Sequence, residues 1–215
     1  MPPLDKTSKE ILQRAYDLKS QQDTRDLYRD WASTYEQTMV DGLTYSAPSN
    51  IAKLLSEYAP DKKQLIADIG CGTGLTGQAA FDLGYSNLVG LDFSDEMLAQ
   101  ARKREIYQSL LNADLTGTLD IETGLYDIAI SSGIFTYGHL DATCLDEIFR
   151  IIKTDGLFIC VVRLQVWEPL GFADKFAALE AQGLIECLST KEFGNYETSQ
   201  NADGRYLVIK KLAKV

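Results

Sequence analysis

The segment from Leu65 to Gly74, with the sequence LIADIGCGTG, constrains the fold more than any other part of this chain. Its first five residues are mostly apolar and include β-branched isoleucines, which is typical of a buried strand in a parallel sheet. Three glycines follow at alternating positions, and residues 75–83 then show a helical pattern. A strand, a glycine loop and a helix in this order bring backbone N–H groups and a helix N-terminus to a bound ligand. Glycine permits the close approach of that ligand and the positive φ angles of a tight turn.

The spacing of the loop glycines separates two classes of ligand. A dinucleotide loop has the pattern G-x-G-x-x-G, but the position of its third glycine is occupied here by Leu75. The carboxylate of Asp68, two residues before the loop, would repel a pyrophosphate and suits a cationic amino-acid ligand. The segment resembles the first motif of the class I S-adenosylmethionine (SAM)-dependent methyltransferases, an acidic residue followed by x-G-x-G-x-G. That resemblance implies that SAM is bound by five residues of the segment, Asp68, Gly70, Cys71, Gly72 and Gly74. A glycine turn that binds no ligand is the structural alternative.

Beyond residue 60, strand and helix patterns alternate, which favours a parallel sheet covered by helices on both faces. We predict strands over 65–69, 88–91, 109–111, 127–131 and 157–162, with helices over 76–83, 141–152 and 171–182. A final hairpin, 184–193 with 205–211, would give a mostly parallel seven-stranded sheet with one antiparallel strand. This arrangement resembles the Rossmann-like, three-layer α/β sandwich of the class I methyltransferases. We therefore expect a SAM-binding methyltransferase domain over residues 47–215, preceded by an N-terminal helical cap over residues 1–46.

A carboxylate at the end of the second strand is predicted to bind a ribose. Asp92 lies 18 residues past Gly74, where an acidic side chain can accept both ribose hydroxyl groups of an adenosine ligand. NAD and SAM share this need, so Asp92 alone does not separate them. The alternative is a strand-end aspartate that caps the next helix, but Ser94 is the better-placed cap.

Four further residues are predicted to surround the adenine ring. Phe93 and Met97 flank the ribose-binding position and are suited to sandwich the ring, with core packing as the alternative for each. In class I methyltransferases an acidic residue after the third strand binds the adenine amine, beside a backbone N–H group. The resemblance implies these roles for Asp114 and Leu115, and a turn-forming aspartate is the alternative for Asp114.

The segment from Ser131 to Leu140 would border the methyl donor, because open α/β sheets bind ligands where the strand order reverses. Small residues there leave room for the donor, and we predict that Ser131 and Gly133 contact it. With its Gly138-His139 pair, the segment resembles the Williams–Beuren-region methyltransferase-like subfamily. His139 is the candidate catalytic base, because the ordinary pKa of histidine suits proton transfer near neutrality. A helix-cap or loop histidine is the alternative.

An aromatic segment near the N-terminus, YRDWASTYE from Tyr28 to Glu36, resembles the opening of many small-molecule methyltransferases, where it caps the cofactor. The resemblance implies cofactor contacts for Trp31 and Tyr35, with core packing as the alternative. With Tyr45, these residues carry more aromatic surface than a solvated arm would expose. We expect the first 46 residues to form a lid over the carboxyl ends of the first and fourth strands.

Composition limits the partners of this chain. The net charge of −10 argues against a nucleic-acid partner, which needs a basic surface. The sequence has neither a membrane-span pattern nor a signal-peptide core, so we predict no membrane association. We also predict cytoplasmic localisation. Four dispersed cysteines favour small buried thiols over disulfides or zinc, and a single histidine leaves few ligands for a metal. We expect a monomer or a homodimer that binds no metal.

The sequence therefore predicts a SAM-dependent methyltransferase that acts on a small-molecule acceptor through an O, N or C nucleophile. Transfer from the sulfonium would be an in-line displacement and would leave S-adenosylhomocysteine. A SAM-binding regulator or partner subunit without transferase activity would carry the same cofactor motifs. An NAD-dependent oxidoreductase is the third possibility. The loop spacing, Asp68 and the lack of a Tyr-x-x-x-Lys pair beyond the fourth strand argue against it.

Overall fold

The computed structural model describes Leu27, Asp30, Trp31, residues 44–197 and residues 199–213. Leu27, Asp30 and Trp31 are helical, and the side chains of Leu27 and Trp31 are buried. The rest of the cap predicted over residues 1–46, up to residue 43 and including Tyr35, lies outside the described residues.

A seven-stranded sheet lies at the centre, with its strands in the spatial order β3-β2-β1-β4-β5-β7-β6. The strands are β1 (Ile66–Ile69), β2 (Leu88–Asp92), β3 (Ser109–Asn112), β4 (Tyr126–Phe135), β5 (Ile152–Arg163), β6 (Ile185–Phe193) and β7 (Gly204–Lys211). Strands β1 to β5 pair in parallel, whereas β7 runs antiparallel to both of its neighbours, β5 and β6. The predicted sheet, mostly parallel with a C-terminal antiparallel hairpin, is confirmed.

Helices cover both faces of the sheet, which gives the predicted three layers. They are α1 (Ala47–Tyr58), α2 (Leu75–Asp82), α3 (Asp95–Arg102), α4 (Leu145–Ile151), α5 (Leu164–Trp167) and α6 (Phe172–Ala181). Helix α1 begins around Pro48, where a missing N–H group costs no helical hydrogen bond. Its Ile51 and Leu55, four residues apart, share one face and pack with Ala80 of α2 on one side of the sheet. Ile148 of α4 and Phe172 of α6 belong to the core on the other side.

The predicted boundaries fail mainly around β4 and β5. Strand β4 continues to Phe135, four residues past its predicted end, and a 3-10 turn at Ala142–Cys144 replaces the start of the predicted helix. Strand β5 begins at Ile152, because Ile152 pairs with Tyr126 before residues 153–156 bulge out of the ladder. Asp155, inside the bulge, has a φ of 64°. The predicted turn at 154–156 therefore interrupts β5 instead of preceding it.

Two further expectations concern the cysteines and the membrane. Cys71, Cys144 and Cys160 are buried free thiols as predicted, but Cys187 is exposed, because its strand β6 forms the edge of the sheet. Among the described residues, the helices are all too short or too polar to cross a bilayer.

Candidate cofactor and acceptor site

The glycine loop between β1 and α2 has the backbone that the sequence predicts. Gly70, Gly72 and Gly74 have φ angles of 64°, 55° and 89°, in the left-handed region that favours glycine. A Cβ atom on Gly70 would collide with the side chain of Ile134 on β4. A Cβ atom on Gly72 would meet no described atom within 4 Å, so this side of the loop is open. Within the described part of the chain, the loop therefore leaves space beside Gly72.

Asp92, at the end of β2, joins the glycine loop to the next loop along the sheet. One carboxylate oxygen accepts the backbone N–H of Gly72 at 2.8 Å, and the other accepts that of Ser94 at 2.9 Å. Ser94 caps α3, as predicted, by accepting the N–H of Met97 at 3.2 Å. Burial raises the pKa of Asp92 to about 6, although both backbone N–H groups favour its charged form. The carboxylate is thus rigidly held at the position predicted for ribose binding.

Asp68, on β1, is a fully buried carboxyl group directly beneath the loop. Its Oδ2 accepts a hydrogen bond from the Tyr107 hydroxyl group at 2.6 Å. Burial raises the pKa of Asp68 to about 7, although the Tyr107 hydroxyl and the Gly77 backbone N–H favour the charged form. Oδ1 of Asp68 has no hydrogen-bond partner among the described residues. The hydroxyl of Thr73, within the loop, is likewise buried without one.

The raised pKa of Asp68 predicts an opposite effect on stability from that of an ordinary aspartate. The folded chain binds the Asp68 proton more tightly than the unfolded chain, so this group favours folding most below about pH 4. Its contribution falls as the pH rises toward about 7, and the cost of the buried charge is complete above that value. Without ligand, the free energy of unfolding of Asp68→Asn at pH 8 should therefore exceed that of the wild type by on the order of a few kcal/mol, and its melting temperature should be higher. The two proteins should unfold alike near pH 4, and a gain that is equal at both pH values would contradict the assignment.

The end of β4 lies against the loop and α2. Ser131 is fully buried, and its hydroxyl donates to the Ile69 carbonyl at 2.9 Å, which ties β4 to the end of β1. The hydroxyl groups of Ser132 and Thr76, in the first turn of α2, lie 2.7 Å apart. Contact of Ser131 with the cofactor stays a prediction, since its hydroxyl group serves the backbone here. These bonds hold the carboxyl ends of the two central strands at one place.

Gly133, on β4, lies next to Tyr45, which precedes α1. Its φ is 84°, and a Cβ atom there would lie 3.2 Å from the Tyr45 hydroxyl oxygen. Tyr45 forms an isolated bridge with Tyr196, in the β6–β7 loop, and their ring centroids are 5.6 Å apart. Nη1 of Arg163 forms an ion pair with Oδ2 of Asp203 at 2.9 Å. The guanidinium carbon of Arg163 lies 5.9 Å from the centroid of the Tyr196 ring. Aromatic side chains from both ends of the domain thus flank the end of β4.

His139, in the loop after β4, has a defined tautomer. Its Nδ1 lies 3.0 Å from the Tyr137 carbonyl oxygen and 2.8 Å from the Thr136 hydroxyl. A carbonyl can only accept, so the contact with Tyr137 places the proton on Nδ1 and leaves the lone pair on Nε2. Burial lowers the pKa of His139 below its ordinary value, which favours the neutral ring near pH 7. A neutral imidazole is the form in which a histidine can take up a proton.

The predicted adenine-binding residues lie around the ends of β2 and β3. Met97 and Leu115 are buried and Phe93 is half-buried. Asp114 is exposed, and its Oδ1 accepts the backbone N–H and hydroxyl of Thr116 at 3.0 and 2.7 Å. This is the turn geometry that we gave as the alternative for Asp114. Cofactor contacts of these four residues, of Trp31 and of Tyr35 stay predictions.

Three residues of the site, Tyr107, Arg104 and Tyr196, were not predicted from the sequence. Tyr107 and Arg104, in the turn before β3, bond to Asp68 and to the Thr73 carbonyl, the latter at 2.7 Å. Tyr45 was predicted only as part of the lid, and its contact partner Tyr196 was not singled out. Each of these contacts joins residues more than thirty positions apart, so no local pattern signals them. The only trace in the sequence is the pair of glycines, Gly77 and Gly90, that make room for the Tyr107 ring.

Comparison with known proteins supports the class that this fold and loop indicate. The family described as "Methyltransferase domain" matches residues 67–160. Methyltransferase-like protein 27 of Homo sapiens is 30% identical over 168 residues, which cover 75% of this chain and 67% of that protein.

Two further relatives have different acceptors in their names. An 18S rRNA (guanine-N(7))-methyltransferase of Arabidopsis thaliana is 33% identical over 40% of this chain, a match that covers 34% of the relative. A dTDP-3-amino-3,4,6-trideoxy-alpha-D-glucopyranose N,N-dimethyltransferase of Streptomyces venezuelae is 30% identical over 63% of this chain and covers 55% of that relative. The chain thus spans two thirds of the human relative, about a third of the plant relative and about half of the bacterial one.

Solved structures share the fold. The [4+2]-cyclase SpnF superimposes with a TM-score of 0.69 at 13% identity, covering 91% of this chain and 98% of that one. One chain of the complex between the Haloferax volcanii Trm112 methyltransferase activator and a methyltransferase gives a TM-score of 0.63 at 19% identity, covering 86% and 96%. The chain belongs to the class I SAM-dependent methyltransferases, and its similarity to methyltransferase-like protein 27 confirms the predicted subfamily resemblance. Its cofactor is accordingly SAM.

Proposed function

We propose that this enzyme transfers the methyl group of SAM to a small-molecule acceptor at the carboxyl end of β4. The proposal rests on one observation above the others. The buried carboxyl groups of Asp68 and Asp92 lie at adjacent strand ends beside an open glycine loop, and Oδ1 of Asp68 lacks a hydrogen-bond partner among the described residues. Two carboxylates in this arrangement suit a ligand with an ammonium group at one end and a ribose at the other.

The residues of the loop fit SAM chemically. Burying a carboxylate with an unmet acceptor is costly, and the ammonium group of the methionine part would supply both a charge and a donor to Asp68. Asp92 already holds two backbone N–H groups, and its carboxylate has further lone pairs for the ribose hydroxyl groups. The open side of Gly72 lets the backbone approach the ligand without a side chain between them.

The contribution of the chain to methyl transfer is mainly alignment. Bound SAM supplies an electrophilic methyl group on a sulfonium, so the leaving group needs no activation by the protein. Holding the acceptor in line with that methyl group can lower the barrier by roughly 7–11 kcal/mol. We propose that Tyr45 and Tyr196 flank the acceptor and that Nε2 of neutral His139 takes its proton where the acceptor is protonated.

Electrostatics favour a small molecule over a nucleic acid as the acceptor. The net charge is −10. In the described part of the chain, carboxylates pair with seven basic side chains: Arg150, Lys153, Arg163, Lys175, Lys191, Arg205 and Lys210. Basic groups that are already paired contribute little to phosphate binding, because a phosphate must compete with their carboxylates. The relative named for an amino-sugar substrate supports an acceptor of this size.

An rRNA acceptor is the second candidate, because one relative is named for 18S rRNA. That relative is matched over only a third of its length. An RNA-directed enzyme of this charge would gain its basic surface from a partner, and a neighbour in fold comes from a complex with a methyltransferase activator.

An acceptor screen with radiolabelled SAM tests the proposal. We expect methyl transfer to small amines, alcohols or carbon acids, including amino sugars, and none to deproteinised ribosomal RNA. Transfer to RNA and to no small molecule would overturn the small-molecule assignment, whether or not an activator protein is needed. Binding of S-adenosylhomocysteine with no transfer to either class would favour a SAM-dependent regulator. Binding of NADH in its place would exclude the proposed site.

We also propose that residues 1–46 form a lid over the bound cofactor and acceptor. Burial of Trp31 and Leu27, and the approach of Tyr45 to Gly133, support a position of this segment against the domain. Ligand binding would complete the apolar surface that the segment covers. Hydrogen exchange across residues 24–40 should therefore slow when S-adenosylhomocysteine binds the full chain. Equal protection with and without the ligand would make the segment a fixed part of the core.

A further inference from the structure

Tyr107 occupies a slot that two glycines create between α2 and the sheet. A Cβ atom on Gly77 of α2 would collide with the Tyr107 hydroxyl oxygen, and one on Gly90 of β2 would lie 3.2 Å from the edge of its ring. Gly90 is the register partner of Asp68 on β1. The ring therefore enters between helix and sheet at the one level where neither carries a side chain, and its hydroxyl group ends at Asp68.

The hydrogen bond between Tyr107 and Asp68 uses one oxygen of the carboxylate. The Tyr107 hydroxyl donates to Oδ2 at 2.6 Å, a short distance typical of a donor to a charged acceptor. Burial and the charge of Asp68 raise the pKa of Tyr107 well above its ordinary value, so the phenol keeps its proton and acts as the donor. Oδ1 remains without a hydrogen-bond partner in the described part of the chain.

The same turn also holds the loop itself. Arg104, three residues before Tyr107, donates from Nε to the Thr73 carbonyl at 2.7 Å and from Nη1 to the Gln78 side chain at 3.3 Å. Glu105, between them, has a φ of 57°, so the turn adopts a strained backbone that directs both side chains to the loop. The turn from Arg104 to Tyr107 thus braces the loop and the carboxylate beneath it together.

We propose that Tyr107 is a positioning residue for cofactor binding, whose hydroxyl group holds Oδ2 of Asp68 and so presents charged Oδ1 to the ammonium group of SAM. This inference rests on the role proposed above for Asp68. The phenol supplies the proton donor without a positive charge, so the ligand itself provides the cation. SAM and S-adenosylhomocysteine carry that cation, whereas 5′-methylthioadenosine carries the same adenosine and a sulfur atom without the amino acid.

The charge state of Asp68 depends on groups from several elements. Asp92 on β2 disfavours its charge, and Cys71 in the loop stays protonated because burial and both aspartates raise its pKa. From the turn, Tyr107 favours the charge directly, and Arg104 acts on Tyr107 by lowering its pKa. Since burial raises the pKa of Asp68 to about 7, loss of the Tyr107 hydrogen bond should raise it further. At neutral pH, more of the carboxyl groups would then be protonated and unable to pair with an ammonium group.

Calorimetric titration of Tyr107→Phe with S-adenosylhomocysteine and 5′-methylthioadenosine, between about pH 5.5 and 8.5, tests this inference. At pH 7 the variant should bind S-adenosylhomocysteine about tenfold more weakly than the wild type, with 5′-methylthioadenosine affinity within about twofold. The rise of S-adenosylhomocysteine affinity with pH should shift to higher pH in the variant, so that part of the loss is recovered near pH 8.5. A merely structural tyrosine would produce no such shift.

Two other variants support the comparison. Tyr85→Phe is the matched control, because the Tyr85 hydroxyl is also buried but donates to the Leu55 and Ala59 carbonyl groups, at 3.1 and 2.7 Å. It should lower the melting temperature and leave the ratio of the two affinities unchanged. Gly77→Ala keeps the Tyr107 hydroxyl but displaces it from Asp68, and should reproduce the shift in the pH profile.

Titration of Asp68→Asn with the same two ligands separates the inference about Tyr107 from the proposed role of Asp68. Selective loss of S-adenosylhomocysteine affinity in Asp68→Asn, with wild-type behaviour of Tyr107→Phe at every pH, would overturn the role of Tyr107 alone. No selective loss in Asp68→Asn would remove the proposed role of Asp68 and this inference with it. A parallel loss of both ligands in Tyr107→Phe would indicate general damage to the loop and would also overturn the inference.

Discussion

Replacing Asp92 with alanine should weaken binding of S-adenosylhomocysteine by about 10- to 150-fold, because hydrogen bonds to a charged group are worth roughly 1.5–3 kcal/mol. Asp92 is 6% exposed, and both of its oxygens already accept backbone N–H groups, from Gly72 and Ser94. The variant would therefore lose the ribose contacts and the link between two ligand-binding loops together. Isothermal calorimetry at pH 8, where Asp92 is charged, measures this loss directly.

The control for this variant is Asp95→Ala. Asp95 is an exposed carboxylate in the first turn of α3 that accepts the Asn112 amide at 2.7 Å. Its removal changes the net charge equally but should leave S-adenosylhomocysteine affinity within about twofold, since exposed pairs contribute little. Asp92→Asn, which keeps one oxygen acceptor, should bind with intermediate affinity. Equal affinities of the Asp92 and Asp95 variants would show that Asp92 does not bind the ribose.

His139→Ala should lower turnover by roughly 10²–10⁴-fold on an acceptor that must lose a proton, while S-adenosylhomocysteine affinity stays nearly unchanged. The contact of Nδ1 with the Tyr137 carbonyl orients the ring and leaves Nε2 as the basic atom. Because burial lowers the pKa of His139, the rate of the wild type should fall only at pH values below the ordinary pKa of histidine, as the ring becomes protonated.

The pH profile decides between a base and a structural histidine at this position. His139→Gln retains a hydrogen-bonding side chain and should lose both the turnover and the acidic limb of the profile. If either variant keeps turnover within a few-fold of the wild type, alignment of the acceptor is sufficient and the ring only supports the loop. An acceptor that ionises without help, such as an acidic phenol, should be methylated by the variants at near wild-type rates in either case.

The cofactor half of the site could be predicted because its signals are local in the sequence. The strand from Ile66, the glycines and the cap at Ser94 each follow from residues within a few positions of one another. Asp92 follows from the short, fixed length of a strand–helix–strand unit. Tyr107, in contrast, lies 39 residues from Asp68, and its role depends on a slot that exists only when α2 and β2 pack together.

The acceptor half was predicted less completely, for a related reason. Tyr45 was predicted as part of the aromatic lid, but its contact partner Tyr196 is 151 positions away and lies in no pattern that marks a ligand site. The end of β4 was placed too early because residues 132–135 mix polar, glycine and aromatic residues. Strand β4 continues there because Phe135 pairs with Val162, after a register shift, and is buried among Phe158 and Phe172. Packing against distant residues therefore outweighs the weak local preference.

The position of β7 sets the order in which the two halves of the site can form during synthesis. Strand β7 follows β6 in the chain but lies between β5 and β6, so β6 joins the sheet only after β7 has been made. The glycine loop, Asp92 and strands β1 to β5 need the chain only as far as Arg163. A nascent chain can therefore complete the cofactor half while β5 is still an open edge. The contact between Tyr45 and Tyr196, which we propose to flank the acceptor, forms last, together with the Ser46–Asn195 backbone hydrogen bond beside it. Ribosome-bound chains should accordingly acquire cofactor binding before they can discriminate among acceptors.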